Sequence, residues 1–222
     1  MIPMSKTLRP TLIQRIKRLM PLKAVGTTLF IYLFFRGYFW VMENPNATPF
    51  TVPTTTIDDL IPFSILGLPV YLSLWIYVSL VPALLNSLRA LLNYGLWITA
   101  MCVTCLLFFW FFPTATPPAE IDLARYPSMA FLRVDTGLNA FPSLHVASAV
   151  FTSAWLALLL HKINEPSYIN AMNIIYCLLI IWSTMAVRQH VFWDAVSGTL
   201  IGLSFASASI RYMTRKLPEN DI

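Results

Sequence analysis

Six apolar runs, at 24–42, 62–85, 90–112, 144–161, 168–187 and 191–210, each come close to the roughly 20 residues that carry a helix across a bilayer. A chain built this way folds inside a membrane, where a helix is the element that satisfies its own backbone groups. The expectation is an all-α integral membrane bundle of six transmembrane helices. Composition agrees: 57% of the 222 residues are hydrophobic and 11% are charged, against about 25% charged in a soluble domain. Turn-rich segments separate the runs, among them "ENPNATPFTVPTTTIDD" (43–59) and the long "PTATPPAEIDLARYPSMAFLRVDTGLNAFPS" (113–143). Cys102, Cys105 and Cys177 lie inside apolar runs without paired or metal-type spacing, so they are read as core residues.

The net charge of +5 would suggest nucleic acid in a soluble protein, but in a membrane chain the position of each charge matters more than the sum. With both termini in the cytoplasm, that side holds Lys6, Arg9, Arg15, Lys17, Arg18, Lys23, Arg89, Lys162, Arg211, Arg215 and Lys216, 11 of the 15 basic residues. Arg36, Arg125, Arg133 and Arg188 fall on or near the other side. The positive-inside bias therefore favours N and C termini in the cytoplasm. The basic arm before the first run, with no small-residue cleavage site after it, reads as a retained signal anchor. Arg36, in the outer half of that run, can snorkel or reach a phosphate head group.

This topology brings two histidines to one face. His145 begins the fourth run and His190 precedes the sixth, so two complete crossings separate them. His161 ends up on the opposite face and reads as an interfacial ring. His190 and Asp194 are spaced i, i+4, so on a helix the carboxylate can hold one ring nitrogen and leave the other outward as a nucleophile. His145 could then protonate a leaving oxygen and later activate water or an alcohol. Taken singly, Asp194 could pair with any polar neighbour and His145 could be a satisfied interfacial ring. Together with "FPS" before one histidine and the i+4 carboxylate after the other, they point to chemistry. Two histidines fall short of the three protein ligands a catalytic metal wants, so no metal and no cofactor are expected. Arg125, Arg133 and Arg188 suit a phosphate, which Ser143 could also bind through its hydroxyl and the helix-start amides. "GTLIG" (198–202) reads as close helix packing, and "FFWFF" (108–112) as an interfacial aromatic belt.

"FPSLH" (141–145) together with "HVFWD" (190–194) resembles the type 2 phosphatidic acid phosphatase superfamily of membrane phosphatases and phosphotransferases. Leucine in "SLH", the stretch "IDDLIPFSILGLPVYLSLW" (57–75) and "FFPTATPPAE" (111–120) are similar to its inositol phosphorylceramide synthase branch and bacterial relatives. The resemblance covers roughly 57–205. It implies His190 as the nucleophile that becomes phosphorylated, Asp194 orienting it, His145 as acid and base, and Ser143 as a phosphate ligand. The chain departs from the superfamily pattern in three places. Thr184 stands where arginine usually precedes the nucleophile by six residues, although the branch is similar here. The usual first motif of lysine and Arg-Pro is missing, and Ala119 and Glu120 follow the Pro-Pro pair. Arg188, Arg133 and Arg125 are the candidates to replace the missing phosphate charge.

These readings divide the chain into a basic arm (1–23), an anchor helix and exoplasmic loop (24–56), a catalytic membrane domain (57–210) and a cytoplasmic tail (211–222). The expected function is a metal-independent lipid phosphatase or phosphotransferase at the exoplasmic face, periplasmic if the source is bacterial. Its partners would be a lipid phosphate and the bilayer, with no nucleic acid. Release to water is favoured by the absence of an obvious sugar-binding cluster, and transfer to an alcohol by the branch resemblance. A non-catalytic lipid-binding or transport protein is the alternative from another class. The lipid, the acceptor and the oligomeric state are not legible.

Overall fold

The structure, a computed structural model, describes residues 12–118, 126–129 and 138–216, and in it the apolar runs become helices bounded by capping and turn residues. A short α1 (Leu12–Lys17) leads into α2 (Met20–Glu43), followed by β1 (Phe50–Thr51) and α3 (Thr56–Leu60). Next come α4 (Gly67–Leu72) and α5 (Leu74–Leu84), broken at Ser73, then α6 (Leu88–Phe111) and β2 (Thr114–Ala115). The order ends with α7 (Leu144–Lys162), α8 (Ser167–Ala186) and α9 (Phe192–Lys216). The described residues are mostly helical, 75% helix against 3% strand.

Caps explain several of these boundaries. Ser87 accepts from the Ala90 amide at the start of α6, and Ser143 accepts from the Val146 amide at the start of α7. Thr55 and Asp58 form a reciprocal capping box that opens α3.

Among the described residues five segments are long and apolar enough to cross a membrane: Met20–Glu43, Gly67–Leu84, Leu88–Phe111, Leu144–Lys162 and Ser167–Ala186. The sixth expected span corresponds to α9, whose 25 residues are amply long but less apolar than the others. The reason is its packing face, where Gly198, Gly202, Ala206 and Ser209 are buried. A Cβ on Gly202 would come within 2.6 Å of the Ala147 carbonyl oxygen, and one on Gly198 would collide with that of Ser143. Small residues thus let α9 lie directly on the backbone of α7.

The α7 helix is the centre of the bundle, packed against α9, α8, α5 and α6. Phe151, Trp155 and Leu159 on it are fully buried. By contrast α2 stands at the edge, touching α5 and α6, with 17% of its most apolar window buried. Cys102, Cys105 and Cys177 are buried and free. At one end of the bundle β1 and β2 pair in parallel, Phe50 beside Thr114. Beneath them Val52, Ala140 and Val191 cluster, so three loops distant in sequence meet at the end where α7 and α9 begin.

Candidate active site

Two loops build the site, and each is held by backbone hydrogen bonds that the local sequence explains. The first runs through 139–143 into α7. The Ala140 amide donates to the Thr114 carbonyl, and the Phe141 amide donates to the Thr114 hydroxyl at 2.8 Å. Asn139 donates its side-chain amide to the Tyr38 hydroxyl and so ties this loop to α2. The loop ends at Ser143, fully buried, whose own amide donates to the Asp194 carbonyl at 3.1 Å.

The second loop, 187–191, leaves α8 through a tight turn. The amides of Gln189 and His190 both donate to the Thr184 carbonyl, and Arg188 takes a left-handed conformation with φ 60°. Thr184 donates its hydroxyl to the Ile181 carbonyl within its own helix. Where the superfamily pattern would have an arginine, this residue therefore anchors the turn. The start of α9 is capped twice by carboxylates: Asp194 Oδ2 accepts from the Val191 amide and Asp58 Oδ1 from the Phe192 amide, each at 2.8 Å. With these amides of α9 occupied, the first-turn amides of Leu144 and His145 are the better anion donors, since helix geometry gives them no intrahelical acceptor.

The rings of His145 and His190 meet between the loops, His190 Nε2 lying 3.5 Å from His145 Nδ1. Their proton positions follow from one fixed point. His190 Nδ1 lies 3.1 Å from the Ala140 carbonyl oxygen, which can only accept, so a neutral ring carries its proton there. The Nε2 lone pair then faces His145. That contact requires the proton of His145 on Nδ1, which leaves its Nε2 to accept from the Tyr71 hydroxyl at 2.8 Å. Tyr71 also stacks on His145, with ring centroids 4.7 Å apart. One directed chain thus runs from Tyr71 through both histidines to Ala140.

Asp194 Oδ2 stands 3.5 Å from His190 Nδ1, farther than the Ala140 carbonyl. The carboxylate is fully buried, and its Oδ1 has no hydrogen-bond partner among the described residues. It therefore stands beside the ring as the farther acceptor, while Ala140 fixes the tautomer.

The structure brings together four of the residues expected from the sequence: His190, His145, Asp194 and Ser143. Arg188 is on the His190 loop, where its Nη1 donates to the Asp58 carbonyl at 3.4 Å. Arg125 and Arg133 lie outside the described residues. His161 sits near the other end of α7 from His145, about 24 Å away at the rise of an α-helix. Among the described residues no group of three or more His, Cys, Asp and Glu side chains could hold a metal.

Three contributors escaped the sequence reading: Tyr71, Asp58 and the Ala140 carbonyl. Tyr71 and Asp58 both lie in the 57–75 stretch, where a buried-side carboxylate before an apolar run was the available signal. A backbone carbonyl leaves no signal at all. Both histidines also border a largely apolar groove of about 850 Å³ between α2, α5 and α6.

No curated protein and no solved structure matches the chain significantly. A family model described as the PAP2 superfamily matches residues 24–218, a range that takes in both loops and, apart from the first four residues of Met20–Glu43, the five apolar spans. Membership supports a phosphatase or phosphotransferase type of function on lipid phosphates in an integral membrane protein. On the strength of that match, the chain belongs to the PAP2 superfamily, that of the type 2 phosphatidic acid phosphatases.

Proposed function

We propose that the chain is a lipid phosphatase that works through a phosphohistidine on His190. The observation that carries this reading is the Ala140 carbonyl on His190 Nδ1, which leaves Nε2 unprotonated and turned toward His145. Nε2 attacks phosphorus as the bond to the leaving oxygen breaks, and His145 in its protonated form gives that oxygen its Nδ1 proton. The Tyr71 hydroxyl suits both states, donating to a neutral His145 Nε2 and accepting from a charged one. Water then loses a proton to His145 and attacks phosphorus, the P–N bond breaks, and the His190 lone pair is restored. The Ser143 hydroxyl, the α7 start and Arg188, Arg133 and Arg125 would stabilise the equatorial oxygens, with no metal required.

In this reading α9 makes a sixth crossing, both termini face the cytoplasm and the site faces the exterior, which is the periplasm if the source is bacterial. Support comes from the length of α9 and from the bias of basic residues.

Transfer to an alcohol is a second reading of the same phosphoenzyme. It is favoured by Thr184 in place of arginine and by the inositol phosphorylceramide synthase-like stretches. Their residues Asp58 and Thr114 brace the two histidine loops. The test is phosphate release by detergent-solubilised protein from a panel of lipid phosphates, pyrophosphates and phosphodiesters, with chelator and with candidate alcohols. A chelator-resistant, His190-dependent release supports the phosphatase. Consumption of the donor lipid with formation of the alcohol's phosphoester, in place of free phosphate, supports the transferase. No turnover by the wild type under any condition, with lipid binding unchanged by His190→Ala, would leave the carrier.

A further inference from the structure

The groove beside the histidine pair is longer than one leaflet is deep. Its near end is formed by Tyr38, Tyr71, His145 and His190, and its far end by Lys23 and Leu88. Along α2 it is lined from Leu22 to Phe39, about 25 Å of helix rise, whereas one leaflet of a ~30 Å hydrocarbon core is roughly 15 Å deep. At the far end Lys23 is held in place, its Nζ donating to the carbonyls of Arg15 at 2.7 Å and Ala83 at 2.8 Å. A chain confined to one leaflet would line only the near half.

Two glycines line the far half, Gly26 on α2 and Gly95 on α6. At neither is there a heavy atom within 4 Å of where a Cβ would stand, in contrast to Gly198 and Gly202. A mid-helix glycine costs about 0.5–1 kcal/mol relative to alanine, and here no close packing offsets that cost. What the missing side chains leave is space.

We propose that this groove holds a single apolar chain longer than one leaflet, carried by the lipid phosphate substrate, and that Gly26 and Gly95 set the longest chain it accepts. The inference rests on the reading of the histidine pair as the site of phosphate cleavage. It is tested with graded ladders of alkyl and isoprenyl phosphates, from shorter than a leaflet to longer, on wild type, Gly26→Leu and Gly95→Leu. Since the added side chains enter open space, both variants are expected to fold. In wild type, kcat/KM rises with length beyond one leaflet, and in either variant the long-to-short preference falls about tenfold. Whether the alkyl or the isoprenyl ladder shows the steeper rise identifies the chain chemistry.

The same ladders are bound to His190→Ala protein, alone and combined with Gly95→Leu, by competition with a fluorescent lipid. Long chains binding more tightly than short ones, with the difference lost in the double variant, supports the groove even if no phosphate is released. Affinity independent of length, or a Gly95→Leu loss equal at every length, overturns it and indicates ordinary bilayer lipid as the occupant. Absence of His190-dependent release at every length overturns the reaction, while the binding comparison still decides the groove.

Discussion

At the residue scale the site depends on one backbone tautomer control and one side-chain support. The Ala140 carbonyl fixes the His190 tautomer and Tyr71 holds the His145 ring through its hydroxyl and its stack, so the two rings are not equally easy to perturb by mutation. His190→Ala is expected to abolish release and the acid-labile phosphoenzyme, which rapid quenching with a labelled lipid phosphate would reveal. His145→Ala should lower kcat about 10²–10⁴-fold, the usual range for a lost acid–base group. Tyr71→Phe keeps the ring stack but removes one hydrogen bond worth about 1 kcal/mol, so kcat should fall several-fold with KM nearly unchanged. An equal loss in kcat/KM carried entirely by KM would argue against Tyr71 acting through His145.

The histidines, Ser143 and Asp194 were legible because their side chains are unusual at the edge of an apolar run. Ala140 was not, because any residue has a carbonyl. Nor was the precedence of that carbonyl over Asp194, since i, i+4 spacing gives proximity but not which acceptor lies nearer.

Elements carry the next layer. Asp58 joins the start of α3 to the start of α9 through its two carboxylate oxygens. Asp58→Ala removes both caps, each worth about 1 kcal/mol, so a fall in thermal midpoint together with a loss of kcat is expected. Asp58→Asn should recover part of both, because the amide oxygen can still accept one of the bonds. The α7–α9 contact is less forgiving: Gly202→Leu forces a side chain onto the Ala147 backbone, overpacking that costs about 1–3 kcal/mol or more. A detergent-stability assay that finds Gly202→Leu as stable as wild type would contradict this packing.

Helix positions were largely readable from hydropathy, with α2 running to Met20 and Glu43 where 24–42 was expected. The break at Ser73 inside the expected 62–85 run was not readable. There Ser73 donates to the Val70 carbonyl and accepts from Tyr176 on α8, a tertiary partner that local pattern does not name.

For the whole molecule, the proposed topology makes a labelling prediction. Single cysteines at Asn46 and Asn164, in the turns after α2 and α7, should react with an impermeant maleimide from opposite sides of a sealed vesicle. The natural Cys102, Cys105 and Cys177 are buried and should contribute little background. Labelling of both sites from the same side would overturn the arrangement of crossings. Bundle architecture was legible because five runs are apolar enough to announce themselves. The sixth crossing of the proposed topology is less plain, because glycine and serine that serve packing on α9 lower the hydropathy by which spans are recognised.

The bond from the Phe192 amide to Asp58 also has a consequence in time. These residues are 134 positions apart, and at about 5–20 residues per second of synthesis the carboxylate waits on the order of ten seconds for its partner. The His190 loop cannot take its final shape before α9 has emerged. A newborn chain that still lacks α9 therefore has an unfinished histidine pair, and on the proposed function a message cut short before α9 is expected to yield an inactive protein.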